Sequence, residues 1–216
     1  MKNATYLFLI ILFFLSSCSL KKTNNENTKA ITGNDKKIKL NLKKDADTIL
    51  KNWVAYYKQK ESAFSLKNFM YKNSDTLIVM QGTVIGNFDK NFDSIYTNFI
   101  VFNHDKNKYI DFDSYNWALG EHQKPLFSPD QEIDLVDLKS QTVNRIAFRG
   151  PLQWVEAVFW ENDSTVVLLE NSADKYPIIT KLELYGKKIK TFKYLDSLKF
   201  ESNYFQLRLR KKGIKL

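Results

Sequence analysis

From Phe64 onward the chain alternates between short runs rich in Val, Ile, Phe, Tyr and Thr and clusters of Asn, Asp, Ser and Gly. Residues of the first kind suit a pleated, half-buried surface, and those of the second are turn formers, so this stretch reads as β-strands joined by tight connections. Eleven runs fit: Phe64–Tyr71, Thr76–Ile85, Ile95–Asn103, Lys108–Phe112, Glu132–Leu138, Asn144–Phe148, Val155–Trp160, Thr165–Glu170, Ile178–Tyr185, Lys188–Tyr194 and Tyr204–Leu209. Asn73-Ser74-Asp75, Asp105-Lys106-Asn107 and Glu161–Ser164 read as hairpin turns. Tyr185-Gly186-Lys187-Lys188 reads as a two-residue hairpin with Gly186 at positive φ. In Tyr204–Leu209, Phe205, Leu207 and Leu209 alternate with Gln206, Arg208 and Arg210, which predicts one face inward and one in water. Val166–Leu169 is apolar on both faces and belongs in the middle of a packed structure.

One helix precedes the strands. Ile49, Leu50, Trp53, Val54 and Tyr57 recur at helical spacing over Asp45–Lys60, with Asp45 or Asp47 as a cap and Lys58 and Lys60 at the negative end of the dipole. The expected fold is therefore mostly β. It is a single antiparallel β domain, a sandwich or a curled open barrel, with one N-terminal helix packed on a sheet. Residues 155–194 read as a three-strand meander resembling part of a propeller blade. A closed propeller needs at least four blades of about 40 residues, and no repeat signature is present.

The net charge of +9 suggests nucleic acid until it is located along the chain. Residues 21–44 hold eight lysines against Glu26 and Asp35, residues 199–216 hold six basic residues against Glu201, and the body between is slightly acidic. A nucleic-acid-binding domain concentrates positive charge on its folded face, so no nucleic-acid partner is expected. The basic segment from Ser19 to Lys44 is rich in Lys, Asn and Thr and reads as a flexible tether, spanning roughly 28 Å if unstructured.

The first eighteen residues name a destination. Lys2 is followed by the uninterrupted apolar run Tyr6–Leu15 and then by Leu15-Ser16-Ser17-Cys18, which contains the only cysteine. Ten apolar residues reach roughly 15 Å as a helix, about half a hydrocarbon core, which is too short for a stable span and right for an export signal. Leu15-Ser16-Ser17-Cys18 resembles the lipobox of bacterial lipoproteins. The resemblance implies a signal peptide over residues 1–17, a diacylglycerol on the Cys18 thiol, cleavage after Ser17, and acylation of the new amino group, palmitate being the typical chain. It leaves a tether over 18–44 and a β-rich domain over 45–216. The implied location is the cell envelope, on the periplasmic or surface face of a membrane. With Cys18 acylated, no disulfide, thiolate nucleophile or cysteine-based zinc site remains.

Residues that carry chemistry are few. His104 and His122 have no mutual metal spacing, and no nucleophile elbow, P-loop or dinucleotide fingerprint occurs. Asp89-Lys90-Asn91-Phe92-Asp93 opens like a calcium loop but lacks the later Gly and Glu. No cofactor and no metal site is expected. Asp111 and Asp113 flank Phe112 and are candidates for an acid–base pair or a cation, with two solvated edge carboxylates as the simpler reading. Trp117, beside Tyr115 and at a strand-to-loop break, is the indole picked for contact with a ligand or partner, with Trp154 and Trp160 as further exposed candidates. Asp followed by Ser or Thr and a small or aliphatic residue recurs at Asp47, Asp75, Asp93, Asp163 and Asp196. This looks like the acidic O-glycosylation sequon of exported proteins in some Gram-negative bacteria, and it also serves as turn and cap punctuation. If it is a sequon, Thr76, Ser94 and Ser164 are the expected sites, ahead of Thr48. The functional expectation is a lipid-anchored envelope module that binds or scaffolds an unknown envelope protein or glycan. The alternatives are an envelope glycan or peptide hydrolase and a small-solute-binding cup.

Overall fold

The structure is a computed structural model and describes residues 48–216 together with Lys39, Leu40 and Leu42. The expected signal peptide over residues 1–17, Cys18, most of the expected tether, and the capping candidates Asp45 and Asp47 lie outside the described residues. Three residues of the segment read as tether lie against the domain. Lys39 makes an isolated antiparallel bridge to Met70, and Leu40 and Leu42 pack on the core.

Twelve strands and two α-helices make up the described chain, and the strands do not close into a barrel. The first sheet contains β1 (Phe69–Thr76), β9 (Gln153–Asn162), β10 (Thr165–Ser172), β11 (Ile178–Glu183) and β12 (Lys188–Tyr194), in the order β1-β12-β11-β10-β9. Four consecutive strands thus form the meander over this stretch, one more than the three expected, and β1 closes its far side. The second sheet contains β2 (Met80–Gln81), β3 (Val101–Phe102), β4 (Lys108–Asp111), β7 (Gln131–Asp137) and β8 (Thr142–Arg149), in the order β2-β8-β7-β4-β3. A two-stranded ribbon, β5 (Trp117–Leu119) with β6 (Pro125–Phe127), stands apart. Every pairing is antiparallel.

Layering follows from which side chains alternate along β10. Val166 and Leu168 point to one core with Ile110, Ile133 and Ile146 of the second sheet, and Val167 and Leu169 point to another with Trp53 and Tyr57 of α1 (Thr48–Lys60). The first sheet is therefore covered on both faces, by the second sheet and by the helix. All four of these residues are 0% exposed, as a run that is apolar on both faces requires. In α1 the stripe turns Leu50, Trp53, Tyr56 and Tyr57 onto the sheet, where Tyr57, Phe64 and Tyr194 stack ring on ring.

Several sequence expectations change. Tyr204–Leu209 is not a strand but part of α2 (Tyr204–Lys211). Phe205 and Leu209 are four residues apart, as are Tyr204 and Arg208, so a helix puts the buried rings and the arginine on one face. The strand reading was equally consistent with Phe205 and Leu209. Of Ile95–Asn103 only Val101–Phe102 is a strand, because Asp93 accepts a hydrogen bond from the Ile95 N–H and starts a 3-10 turn over Ser94–Asn98. Phe64–Tyr71 likewise opens with a 3-10 turn at Leu66–Asn68, capped by Ser65. Asn73-Ser74-Asp75 is no turn but lies within β1, which absorbs one extra residue between Tyr71 and Asn73 as a bulge. Of Thr76–Ile85, Thr76 ends β1 and Met80–Gln81 forms β2, so this stretch passes from the edge of one sheet to the edge of the other with Ile78 and Val79 exposed between. At the β11–β12 turn Lys187, not Gly186, takes positive φ, at 46°.

Candidate functional site

The bend that shapes the candidate site is a bulge in β9. Ala157 pairs with Leu169 and Val155 with Glu170, so Glu156 is the extra residue. A bulge re-aims side chains, and here it sends Glu156 to the helix-covered face. Its carboxyl accepts from Trp53 Nε1 (2.7 Å) and Tyr57 Oη (2.7 Å) on α1, from Ser202 Oγ ahead of α2, and from Trp154 two residues upstream. Glu156 is 0% exposed, and burial pushes its pKa up even though these donors favour the charged form. Burial and the nearby Glu156 likewise raise the Tyr57 hydroxyl well above its ordinary range.

In front of this hub lies a cleft of about 510 Å³, between the β8–β9 turn, the end of β10 and the start of α2. Its volume is within the ordinary range of ligand sites. Trp154 and Phe127 are its aromatic walls, with Phe205 packed edge-on to Phe127 at 6.0 Å. Four amides in the lining hold the frame itself. Gln131 bonds the backbone of Phe112 and Val155, Gln153 donates to Glu170, Asn171 donates to Tyr57 Oη, and Asn116 donates to the carbonyls of Ser128 and Asp130. At the rim are the exposed Gln206 and the loose ion pair Lys175–Glu201 at 3.6 Å. Glu201 is the one carboxylate among the described lining residues. Glu156 and Glu170 stand behind the wall, the latter held by Arg149 Nε at 2.5 Å and by Thr180. Aromatic walls with Gln206 and a loosely paired Lys175–Glu201 at the edge suit a polar, ring-shaped ligand, whereas the described lining does not place two carboxylates across the cleft.

The three residues singled out from sequence come together elsewhere. Asp111 and Asp113 are 2% and 0% exposed, so neither is a solvated edge carboxylate. Asp111 folds the turn after β4, with Oδ1 accepting from the backbone N–H of Asp113 and Ser114 (3.0 Å each) and Oδ2 from the Ser114 hydroxyl (2.6 Å). Burial raises its pKa against those bonds. Asp113 takes a two-pronged bond from Arg208 of α2, Nη2 to Oδ1 at 2.7 Å and Nη1 to Oδ2 at 2.9 Å. Trp117 is 2% exposed and donates its indole N–H to Asp113 Oδ1 at 2.9 Å, so the expected open indole is enclosed. Arg208 also donates Nε to the Glu156 carbonyl and lies 4.5 Å over the Phe112 ring. This cluster ties α2 to the sandwich. Tyr115 and Trp160 are half-buried or exposed, and Trp160 Nε1 donates to the Val101 carbonyl.

Among the glycosylation candidates, Thr76 and Ser94 are exposed, and Ser164 is half-buried with its hydroxyl donating to Asn162 Oδ1 at 2.7 Å. The preceding acids act as acceptors: Asp75 for Asn73 and Asp93 for the Ile95 N–H locally, and Asp163 for the distant Asn103. Asp89 accepts from the Asn91 N–H, and both histidines are exposed. Among the described residues no group of three or more His, Cys, Asp or Glu is placed to hold a metal ion, and no helix is long and apolar enough to cross a membrane.

Residues overlooked in the sequence were visible as lone acids in apolar runs, namely Glu156 in Val155–Phe159, Glu170 after Val166–Leu169 and Asp134 in Ile133–Val136. Asp134 is the extreme case. It is 0% exposed, neither carboxyl oxygen has a protein donor, and a Cβ built at Gly82 would come within 2.3 Å of Oδ1. Burial first, then the neighbouring Glu132, pushes its pKa up to about 9, so at neutral pH it carries a proton. The chain matches no family model, and searches of curated proteins and of solved structures likewise find no match.

The Asp134 environment sets a pH dependence. Because its folded pKa is raised, its contribution to stability is complete below the unfolded value of 3.8 and is lost as pH rises toward about 9. Asp134→Asn keeps a neutral group of the same shape. Urea midpoints should fall less between pH 6 and pH 9 in this variant than in the unaltered protein, whereas parallel declines would show that Asp134 is already ionised at pH 6.

Proposed function

We propose that the chain is a lipid-anchored cell-envelope protein whose β-rich domain is a binding module, and that the cleft beside Trp154 takes a glycan. The observation that carries the binding reading is the cleft itself. It has aromatic walls at Trp154 and Phe127, uncharged or weakly paired polar groups at its rim, and a carboxyl hub that fixes Trp154 from behind. Sugars expose apolar ring faces edged with hydroxyls, and an indole face with amides nearby is a matching surface. A rigid wall lowers the entropy cost of binding, because its rotamer is set before the ligand arrives.

The anchoring half rests on Leu15-Ser16-Ser17-Cys18 behind a ten-residue apolar run. Two or more acyl chains at Cys18 give stable attachment, and the lysine-rich stretch up to Lys44 adds about 1 kcal/mol per lysine near an anionic leaflet. A glycan at Thr76 would hydrate the surface next to the exposed Ile78 and Val79, and Ser94 is exposed as well. Ser164, with its hydroxyl engaged, is the poorer acceptor of the three.

Titration of the full chain with soluble fragments of envelope glycan tests the cleft. Trp154→Ala should weaken binding about tenfold or more, in keeping with an aromatic anchor worth on the order of 2 kcal/mol, while Trp154→Phe keeps a ring and most of the affinity. Equal affinity in all three proteins would remove the cleft from the proposal. Intact mass of the native protein checks the anchor and the sequons together. The expected mass is that of residues 18–216 plus acyl chains, with added sugar at Thr76 or Ser94, and Cys18→Ser should abolish the lipid and release the protein from membranes. A native mass equal to the uncleaved, unmodified chain would overturn both.

A further inference from the structure

A second pocket, distinct from the cleft, lies between α1, α2 and the β3–β4 end of the sandwich. It encloses about 190 Å³, and its floor is apolar: Phe99, Val101, Phe112, Val158 and Leu207. Its rim is basic, formed by Arg208, Lys211 and Lys212 in the last turn of α2 and just beyond it.

The charges at this rim do not balance. Arg208 is bound on two prongs by Asp113, which is the one carboxylate that the rim's cations engage. Lys212 lies 5.1 Å over the Phe99 ring and donates to the Asn98 carbonyl, a neutral partner. Burial first and then the neighbouring Arg208 lower its pKa, and Asp113, already paired with Arg208, offsets them only in part. Among the described residues no carboxylate lies within ion-pair distance of Lys211 or Lys212. An apolar floor closed by excess positive charge is complementary to an apolar tail that ends in an anion.

We infer that this pocket binds a small anionic amphiphile, a medium-chain or arylalkyl monocarboxylate, with the tail on Val101, Val158 and Leu207 and the carboxylate between Lys211 and Lys212. The volume limits the tail. At about 30 Å³ per water-sized group, 190 Å³ admits roughly six such groups, so hexanoate to octanoate fits and a full membrane acyl chain does not. The site is independent of the glycan cleft, since the two share no lining residue.

Octanoate is the probe, with 1-octanol as the control for the head and acetate as the control for the tail. The protein is the full chain carrying Cys18→Ser, so that no detergent competes for the pocket. Methyl NMR of Val101, Val158 and Leu207 reports the location, and calorimetry reports affinity. Octanoate should shift these methyl signals and bind at least tenfold more tightly than octanol or acetate. Lys211→Ser with Lys212→Ser should weaken octanoate at least tenfold and leave octanol unchanged. Val101→Trp, shown to be folded by an unchanged urea midpoint, should fill the pocket and abolish the shifts. Equal binding of octanoate and octanol, methyl shifts outside the pocket, or octanoate binding that survives both variants would overturn the assignment. Retention on anionic vesicles without any response to octanoate would also overturn it, because the lysines would then serve a lipid surface rather than a pocket.

Discussion

The buried carboxyl of Glu156 is the interaction on which the layers depend. An acid at the centre of an apolar run is expensive to bury alone and is tolerated when donors surround it. Glu156 collects them from every element that must meet: Trp53 and Tyr57 from the helix, Ser202 from the segment before α2, and Trp154 from its own strand. Each donor fixes a larger part. Trp53 and Tyr57 seat α1 on the first sheet, Ser202 sets where α2 begins, and Trp154 becomes a wall of the cleft. The bulge in β9 makes this possible, since strict alternation would turn Glu156 to the face opposite Ala157 and Phe159, which pack under the helix.

Six carboxylates are buried among the described residues, and the fold accommodates them in different ways. Asp113, Glu132 and Glu170 meet Arg208, Arg145 and Arg149. Asp111 is held by backbone N–H groups of its own turn, Asp134 by a retained proton, and Glu156 by uncharged side chains. Removing one partner of a buried pair leaves an uncompensated charge at about 3–5 kcal/mol, so the three arginines act as structural clamps. At the α2 end Arg208 is committed to Asp113, whereas Lys211 and Lys212 line the small apolar pocket and Arg210 is exposed beside them in sequence.

Much of the fold was legible in the sequence where side chains obey a single period. The α1 stripe, the doubly buried run Val166–Leu169 and the meander through Tyr194 all appear where periodicity places them. Legibility failed where a local hydrogen bond or a tertiary contact decided the conformation. Asp93 starts a 3-10 turn in a stretch of strand-like composition, and Phe205 and Leu209 fit two periods until Arg208 had to reach Asp113. The cleft was the least legible part. Its lining comes from five separated stretches, and the roles of Glu156, Gln131 and Asn171 depend on which strands become neighbours. The lone acids in apolar runs were the available signal. By contrast, the exposed-looking Asp111, Asp113 and Trp117 are spent on one another and on Arg208.

The central claim is that the buried carboxyl of Glu156, its pKa raised by burial, holds the helix, the cleft wall and α2 together. The most direct measurement is the side-chain carboxyl ¹³C shift of Glu156, followed by NMR from pH 3 to pH 9 with Trp53 and Trp154 indole N–H signals recorded in parallel. The account predicts that Glu156 titrates above the ordinary glutamate range and that both indole signals move with it. A carboxyl that titrates in the ordinary range, with indole signals indifferent to it, would contradict the account.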